Sequence, residues 1–338
     1  MNILITGIHG FVGSNLVSGL KLHHTIYGLD IVSPPKDGVV KTFGWNELEQ
    51  IPPIDCIIHL AGKAHDTKSQ TNAHLYFEIN TGLTQQIFDW FLSSPTQKFI
   101  YFSSVKAAAD SVGESILTEE VVPAPKGPYG ESKRAAEEYV RERGRDWERE
   151  RNGEGETRRG RDEEREGDKE REREGEKKVY ILRPCMIHGP GNKGNLNLLY
   201  NVVKKGIPYP LGAFENKRSF TSIGNLSFII TQLIEKEISS GTYNVADDEP
   251  LSTNELIALM AQTLKKPNRT WKLNKSFLQF CAKAGTLLHL PLNTSRLQKL
   301  TESYVVSNEK LKQALGITRM PVTARDGLRK TLKSFEKL

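Results

Sequence analysis

A strand, a glycine-rich turn and a helix at the start of the chain constrain its fold more than any other feature. The apolar run at residues 2–6 (NILIT) is followed at once by Gly7, Gly10 and Gly13. Glycines at this spacing permit a tight turn, a close approach of the backbone to a pyrophosphate and close packing of helix on strand. The next helix would present its N-terminal amides to the phosphates. The position between strand and helix indicates a dinucleotide-binding unit.

Strand-like and helix-like patterns alternate through the first half of the chain. Strands are predicted at 2–6, 25–29, 56–61, 98–104 and 178–183, and helices at 12–22, 75–92 and 129–143. This alternation predicts an α/β protein with a Rossmann-type, doubly wound parallel sheet, here a cofactor-binding domain over 1–182. A strand pattern at 241–247 and a capped helix at 252–266 belong to a smaller, partly interwoven substrate domain over 183–338.

One segment fits neither domain. Residues 141–178 contain 14 Lys/Arg and 15 Asp/Glu among 38 positions. Opposite charges four residues apart favour a solvated helix, but six glycines interrupt the run. Because Trp147 is its only large apolar residue, we interpret the segment as a mobile insertion.

Composition excludes several classes of protein. The net charge of +6 comes without basic blocks interleaved with aromatics, so it suits a small polyanionic substrate better than nucleic acid. Cys56, Cys185 and Cys281 are far apart, which indicates reduced thiols rather than a disulfide framework or a metal site. No basic leader precedes the first strand and no apolar run reaches about 18 residues, so we expect a cytoplasmic protein without membrane insertion.

Polar residues follow the predicted strands, where ligands bind in parallel sheets. Asp30 ends the second strand, and a carboxylate there can accept hydrogen bonds from a ribose and repel a 2′-phosphate, which favours NAD over NADP. His59 is equally well explained as a core residue or a functional one. Tyr129 and Lys133 lie four residues apart in PYGESK, on one helical face, where a cation can lower the pKa of a phenol. An exposed helix pair is the alternative for that spacing alone.

Together these features resemble the extended short-chain dehydrogenase/reductases, specifically the NAD-dependent epimerase/dehydratase family with its UDP-sugar 4-epimerases and 4-reductases. The resemblance rests on TGIHGFVG, HLAG, YFSS, PYGESK, LRPCMIHGPG, KRSF and YNVADDEPLSTNEL, in that order. It implies Tyr129 as general acid/base, Lys133 as the residue that holds the nicotinamide ribose, and Ser104 as a catalytic partner of the sugar oxygen. The further contacts implied are with the cofactor through Gly7, Gly10, Phe11, Val12, Gly13, Asp30, Leu60, Ala61, Gly62, Asn80, Tyr129 and Lys133, and with the substrate through Ser104, Asn195 and Arg218.

The resemblance implies an NAD-dependent 4-epimerase acting on a UDP-hexose or UDP-N-acetylhexosamine through a 4-keto intermediate. A reductase of a UDP-4-keto-6-deoxy-N-acetylhexosamine in surface-polysaccharide synthesis uses the same residues and is the first alternative. A non-catalytic NAD-binding regulator is the second. A 4,6-dehydratase is disfavoured because Val105 and Lys106 stand where that reaction needs an Asp-Glu pair. A homodimer is compatible with the resemblance, and the sequence does not determine the oligomeric state.

Overall fold

The computed structural model describes residues 1–63, 73–113, 115–152, 176–192, 194–288 and 293–336. The strands of its main sheet are β1 Asn2–Thr6, β2 Thr25–Leu29, β3 Thr42–Phe43, β4 Cys56–His59, β5 Lys98–Phe102, β7 Lys178–Pro184 and β10 Gly241–Val245. These seven strands lie in the order β10-β7-β5-β4-β1-β2-β3. The neighbouring pairs β3–β2, β2–β1, β1–β4, β4–β5 and β5–β7 are all parallel. The doubly wound parallel sheet predicted from the sequence is confirmed.

The helices of the first half follow the predicted periodicity. They are α1 Phe11–Leu20, α2 Ala73–Phe77, α3 Leu83–Ser93 and α4 Pro128–Arg151. A π-helical turn at Glu78–Gly82 joins α2 to α3, so the predicted helix at 75–92 is interrupted in its middle. Such turns occur frequently at functional sites, and this one carries Asn80.

Two of the predicted strands end earlier than the sequence suggested. β4 ends at His59 and β5 ends at Phe102, so Leu60, Ser103 and Ser104 lie just beyond the strand ends. Strand order reverses about β1, since β2 and β4 flank it on opposite sides. Ligands of open α/β sheets bind at such a switch point, outside the carboxyl ends of the strands.

A continuous aromatic and aliphatic core holds this sheet to its helices. Phe88 and Phe91 of α3 pack against Phe99 of β5, with ring centroids 5.1 and 5.2 Å from the Phe99 ring. All three side chains are fully buried. Burying each contributes roughly 1.5–3 kcal/mol. Ala136 and Val140 of α4 belong to the same cluster, which therefore fixes α4 relative to the strand that precedes Ser104.

The charged segment begins in a different structure from the one predicted. α4 continues to Arg151, so the expectation that an insertion starts at residue 141 was wrong for 141–151. Arg141 donates to buried Glu137 at 2.9 Å, and Trp147 packs against the apolar core. These contacts stabilise the helix beyond its apolar part. The remainder of the predicted insertion, 153–175, lies outside the described residues.

The far end of the charged segment also belongs to the fold. Lys177 is buried, and its ammonium donates to the carbonyls of Phe91, Ser94 and Thr96 at 2.6–3.0 Å. Lys178 then begins β7. A cation surrounded by three carbonyls has its hydrogen-bonding capacity satisfied, which makes its burial tolerable.

The chain divides into two compact units. The first comprises 1–110, 119–184 and 229–243, and the second comprises 111–118, 185–228 and 244–338. Each unit therefore takes segments from more than one part of the chain, as interwoven domains do. The sequence predicted a domain boundary after residue 182, and in the structure the chain passes from the first unit to the second after Pro184.

The second unit contains the remaining short strands and most of the later helices. Its elements include β6 Ile116–Leu117, β8 Met186–His188, α5 Asn195–Lys204, β9 Phe220–Ser222, α7 Thr253–Thr263, α8 Lys275–Leu287, α9 Thr294–Thr301, β11 Val305–Val306, α10 Glu309–Leu315 and α11 Ala324–Phe335; α6 Ile223–Glu235 begins in it. The Ser252–Glu255 capping box predicted for α7 is present. No helix in the described part of the chain is long and apolar enough to cross a membrane.

Candidate cofactor and catalytic site

The glycine turn is built as the sequence predicts. Gly7 has a φ of +65°, and a Cβ there would lie 3.0 Å from the backbone of Ala61. A Cβ on Gly13 would lie 2.7 Å from the Gly7 carbonyl oxygen. Other residues would clash at both positions, so β1, the HLAG loop and α1 can pack this closely only because these positions are glycine.

The start of α1 suits a phosphate group. Gly10 is the N-cap residue and provides no side-chain cap, and α1 begins at Phe11. The amides of Phe11, Val12 and Gly13 therefore lie in the first helical turn, where they have no carbonyl partner within the helix. A diphosphate is a suitable acceptor for these groups, and the helix dipole adds a favourable field.

Asp30 lies at the carboxyl end of β2, beside this turn. Its Oδ2 accepts a hydrogen bond from the His9 amide at 3.0 Å, and its Oδ1 accepts one from the Ile31 amide at 2.8 Å. The carboxylate is thus held by the backbone next to the glycine turn. Burial lowers the pKa of Lys36, and the negative charge of Asp30 opposes that effect, so the two side chains are close enough to interact. The Lys36 ammonium donates to Ser14 of α1 at 2.8 Å.

His59 is a core residue. Its ring nitrogens contact Thr6 Oγ1 at 2.7 Å and Thr84 Oγ1 at 2.9 Å, and the ring stacks on Tyr101. Burial lowers its pKa well below the ordinary value, and the charge of Lys133 acts in the same direction. His59 therefore stays neutral in the core. Of its two sequence interpretations, the structural one is supported.

The HLAG loop is fixed by the first strand. Thr6 Oγ1 accepts hydrogen bonds from the amides of Leu60 at 3.1 Å and Ala61 at 2.9 Å. This arrangement brings Leu60, Ala61 and Gly62 to the edge of the sheet beside the glycine turn. A Cβ on Gly62 would lie 2.9 Å from Asn80 Oδ1 and 3.1 Å from Lys133 Nζ. Glycine at position 62 therefore lets the loop pack directly against those two polar groups.

Tyr129 and Ser104 meet at the carboxyl end of β5. The Tyr129 hydroxyl is hydrogen-bonded to Ser104, whose own Oγ accepts from the Lys106 amide at 3.2 Å. Close packing of α4 makes this possible, since a Cβ on Gly130 would lie 2.6 Å from the Lys106 carbonyl oxygen. The Tyr76 ring stands edge-on to Tyr129 with centroids 6.3 Å apart. The serine and the phenol that the sequence placed 25 positions apart are thus brought into contact.

Burial dominates the titration of Tyr129. It raises the pKa of the phenol, and the hydrogen bond from Ser104 opposes that effect. The Tyr-Lys spacing predicts that Lys133 lowers the pKa of Tyr129, but in the structure burial outweighs any such effect. The Lys133 ammonium donates to the Phe102 carbonyl at 2.9 Å and lies 5.1 Å from the centre of the Tyr101 ring. Burial lowers the pKa of Lys133 to about 8.

Asn80 links the π-helical turn to the helix that carries Tyr129. Its Oδ1 accepts from the Lys63 amide at 2.7 Å, and its Nδ2 donates to Ser132 Oγ at 3.0 Å. The side chain is fully buried. Asn80 therefore positions the loop after Gly62 against α4, close to the ammonium of Lys133.

A buried ion-pair network lies one helical turn beyond Lys133, and sequence reasoning missed it. Glu137 is fully buried and accepts hydrogen bonds from Ser103 at 2.5 Å and from Arg183 at 2.8 and 2.6 Å. Burial acts to raise the pKa of Glu137, but Arg183, Arg141 and Ser103 together hold it below the ordinary value. Two signals could have revealed the network: a glutamate four residues after Lys133, and an arginine inside an apolar strand.

Two of the residues that the resemblance implies as substrate contacts belong to the second unit. The contact implied for Arg218 is with the diphosphate of the substrate. Asn195 is the first residue of α5. Arg218 Nε donates to the Glu302 carbonyl at 3.3 Å, and its Nη2 donates to the Lys299 carbonyl. In this arrangement the guanidinium holds the end of α9 in place. Its assignment as a diphosphate contact stays a prediction.

These features define a class of protein: a Rossmann-type dinucleotide-binding protein with a tyrosine and a serine side by side at the carboxyl end of a parallel strand. The residues fit such a cofactor, because the Gly7–Gly13 turn, the backbone-held Asp30 carboxylate and the HLAG loop lie at neighbouring strand ends. Among the residues that the structure describes, no group of three or more His, Cys, Asp or Glu side chains could hold a metal ion.

The chain belongs to the NAD dependent epimerase/dehydratase family. The model of that family matches residues 3–151. Over nearly its whole length the chain is also 30% identical to the UDP-glucose 4-epimerase of Vibrio cholerae, and the match covers 99% of this chain and 95% of the relative. Both the glycine turn and the Tyr129–Lys133 pair lie inside the region that the family model matches.

Two further similarities extend the comparison. An N-acetyl-alpha-D-glucosaminyl-diphospho-ditrans,octacis-undecaprenol 4-epimerase of Escherichia coli O157:H7 is 26% identical, with 78% of this chain and 73% of the relative covered. The crystal structure of the UDP-glucose 4-epimerase of Thermus thermophilus in complex with NAD superposes with a TM-score of 0.71 at 21% identity, covering 99% of each chain. At that identity the structural likeness supports the fold.

Proposed function

We propose that this protein is an NAD-dependent 4-epimerase of a UDP-hexose or UDP-N-acetylhexosamine that works through a 4-keto intermediate. The observation that carries the proposal is the hydrogen-bonded Tyr129–Ser104 pair at the end of β5, with buried Lys133 one helical turn away. The full-length similarity to a UDP-glucose 4-epimerase supports the same reaction.

Several residues would hold NAD. The turn through Gly7, Gly10 and Gly13 would bind the pyrophosphate at the start of α1, and Asp30 would accept hydrogen bonds from the adenosine ribose. Lys133 and Asn80, which pack beside Gly62, would lie near the nicotinamide ribose. When bound, NAD supplies an acceptor for the hydride at C4 of the sugar and returns that hydride in the second half of the reaction.

Tyr129 would move the proton. As a phenolate it would take the proton of the 4-hydroxyl while C4 becomes a ketone, and it would give the proton back when the alcohol forms again. Burial makes the phenolate costly, so the groups that favour the charged form matter. Ser104 donates to the same oxygen, and a protonated Lys133 one turn along α4 favours it electrostatically. Ser104 would also orient the reacting sugar oxygen.

Arg218 and Asn195 would contact the UDP-sugar. A guanidinium binds phosphate oxygens in a bidentate manner, which suits a diphosphate. Because Arg218 donates to two backbone carbonyls near the end of α9, phosphate binding would compete with at least part of that arrangement. We therefore expect substrate binding to alter the environment of residues 299–302.

One assay separates this function from its alternatives. The purified protein is incubated with UDP-glucose or UDP-N-acetylglucosamine and a catalytic amount of NAD, and the sugar nucleotides are separated by chromatography. Formation of the C4 epimer without net NADH supports the epimerase. In a second incubation the protein receives a UDP-4-keto-6-deoxy sugar and an equimolar amount of NADH. Stoichiometric NADH loss there, with no epimer formed in the first incubation, would instead establish the reductase. Tight NAD binding without turnover of either substrate would indicate the non-catalytic regulator.

We further propose that the protein is cytoplasmic and that it forms a homodimer. The cytoplasmic location is supported by Cys56, Cys185 and Cys281, which are free thiols in the structure. Sedimentation equilibrium of the purified protein at several concentrations would give its oligomeric state.

A further inference from the structure

A long stretch of the second unit carries only one sign of charge. Between Glu255 and Glu302 there are eight Lys/Arg and no Asp or Glu. Every one of those eight side chains is exposed, and they are Lys265, Lys266, Arg269, Lys272, Lys275, Lys283, Arg296 and Lys299. A run this long without a carboxylate creates a positive field that neighbouring residues of the same segment do not cancel.

Helix α8, at the centre of this stretch, is apolar on two sides. On one side Leu278 and Ala282 are buried in a cluster with Leu211 and Leu297. On the other side Phe277 and Phe280 are 57% and 69% exposed, and Leu287 is 79% exposed. Positions 277, 280 and 287 fall on one face at helical spacing, so they form a stripe that the described residues leave uncovered.

We propose that this stripe, with Lys283 beside it and an acid-free sequence on either side, is a surface that binds the face of an anionic phospholipid bilayer. A helix that lies in the membrane interface combines Phe, Trp or Leu on one side with Lys or Arg beside them. Lys283 follows Phe280 by three residues and precedes Leu287 by four, so it flanks the stripe directly. Trp271, which is 55% exposed, precedes α8 in the same acid-free stretch.

The sign of the charge decides between a bilayer and a second copy of the chain. In a two-fold dimer the same patch meets itself, so its cations would face one another. Anionic headgroups instead attract each Lys or Arg near the surface, and Phe side chains enter the interface below them. Such binding is peripheral and needs no spanning helix. It also does not depend on the substrate proposed above.

Vesicle sedimentation with the full chain tests the proposal. We use vesicles of phosphatidylcholine alone and vesicles in which one third of the lipid is phosphatidylglycerol. The protein should bind the anionic vesicles at least tenfold more tightly, and binding should weaken when salt rises from about 0.05 M to about 0.5 M. Equal affinity for the two kinds of vesicle, or no binding to either, would overturn the proposal.

Variants connect the binding to α8. The double substitution Phe277→Ser with Phe280→Ser should weaken binding at least tenfold, since it removes two aromatic anchors from the interface. Lys283→Gln should weaken it about fivefold. Leu22→Ser is the matched control, because Leu22 is 76% exposed and lies in the first unit. All of these positions are exposed, so melting temperatures should match that of the parent.

Two results would contradict the assignment to α8. The first is anionic-vesicle binding by the double variant that equals the parent's. The second is a parent dimer that the double variant converts to monomer, without vesicle binding by either; that would identify a second copy as the occupant. Sedimentation velocity of both proteins distinguishes these outcomes.

Discussion

Replacement of Glu137 by glutamine tests how the helix carrying Tyr129 and Lys133 is held in place. Glu137 links α4 to the ends of two neighbouring strands through Ser103 of the loop after β5 and Arg183 of β7. Glutamine keeps the size but loses the charge, so it leaves the Arg183 guanidinium, only 2% exposed, without its ionic partner. Removing one member of a buried pair costs about 3–5 kcal/mol in the free energy of unfolding.

The matched control is the next residue. Glu138 pairs with Arg134 at 2.7 Å, but its side chain is 49% exposed. Exposed pairs contribute about 0–1 kcal/mol, so Glu138→Gln should have a small effect. Urea unfolding followed by tryptophan fluorescence is a suitable measurement, because three of the four tryptophans, Trp45, Trp90 and Trp147, lie in the first unit. Equal unfolding free energies for the two variants would refute the reasoning.

The same pair predicts a pH dependence. The pKa of Glu137 is lowered in the folded protein from an ordinary value of 4.5. A depressed carboxyl pKa contributes stability that is present above the ordinary value and is lost as the pH falls through the folded-state value. The difference in stability between the parent and Glu137→Gln should therefore be constant near neutral pH and shrink in acid. A difference that does not change down to the acid-unfolding range would contradict the assignment of that carboxylate as charged.

Other predictions concern the cofactor. Asp30→Ala should weaken NAD binding more than NADP binding, because it removes a ribose acceptor and a charge that repels a 2′-phosphate while leaving Lys36 nearby. Titration with both cofactors checks this prediction. An unchanged cofactor preference would remove Asp30 from the site. NAD affinity should fall as the pH rises through about 8, since the ammonium of Lys133 then loses its proton. The Lys133→Met variant should bind NAD weakly and show no such pH dependence. If the variant retains the pH dependence, a group other than Lys133 causes it. Gly62→Ala should weaken NAD at least tenfold, because its Cβ would lie 3.1 Å from Lys133 Nζ; calorimetry measures it, and parent-like affinity contradicts the proposed nicotinamide side.

The regular part of the fold could be predicted because local pattern and tertiary packing agree. The five apolar runs became strands of one sheet, and Gly7 and Gly13 occupy positions where a side chain would clash. The Ser252 capping box is set by residues three apart and formed as expected. In each case the residues that determine the structure are close in sequence.

The remaining features depend on contacts between distant residues. The helix over 141–151 is stabilised by the contact of Arg141 with Glu137 and by the packing of Trp147 against the core. Charge composition alone predicts neither contact. The raised pKa of Tyr129 reflects burial, which the Tyr-Lys spacing does not determine. The Glu137–Arg183 pair joins residues 46 apart and became visible only when α4 packed on the sheet.

The role of Tyr129 in C4 epimerisation is the central claim, and a single comparison tests it most directly. The parent and Tyr129→Phe are each incubated with UDP-N-acetylglucosamine or UDP-glucose and catalytic NAD, and the proton at C4 is followed by nuclear magnetic resonance. The parent should form the C4 epimer of at least one substrate without net NADH. The variant, with NAD affinity within about twofold of the parent's, should be slower by roughly 10²-fold or more, since a positioned acid/base contributes about 10²–10⁴ in rate. Epimer formation by Tyr129→Phe at the parent's rate, or no epimer from the parent, would contradict the account.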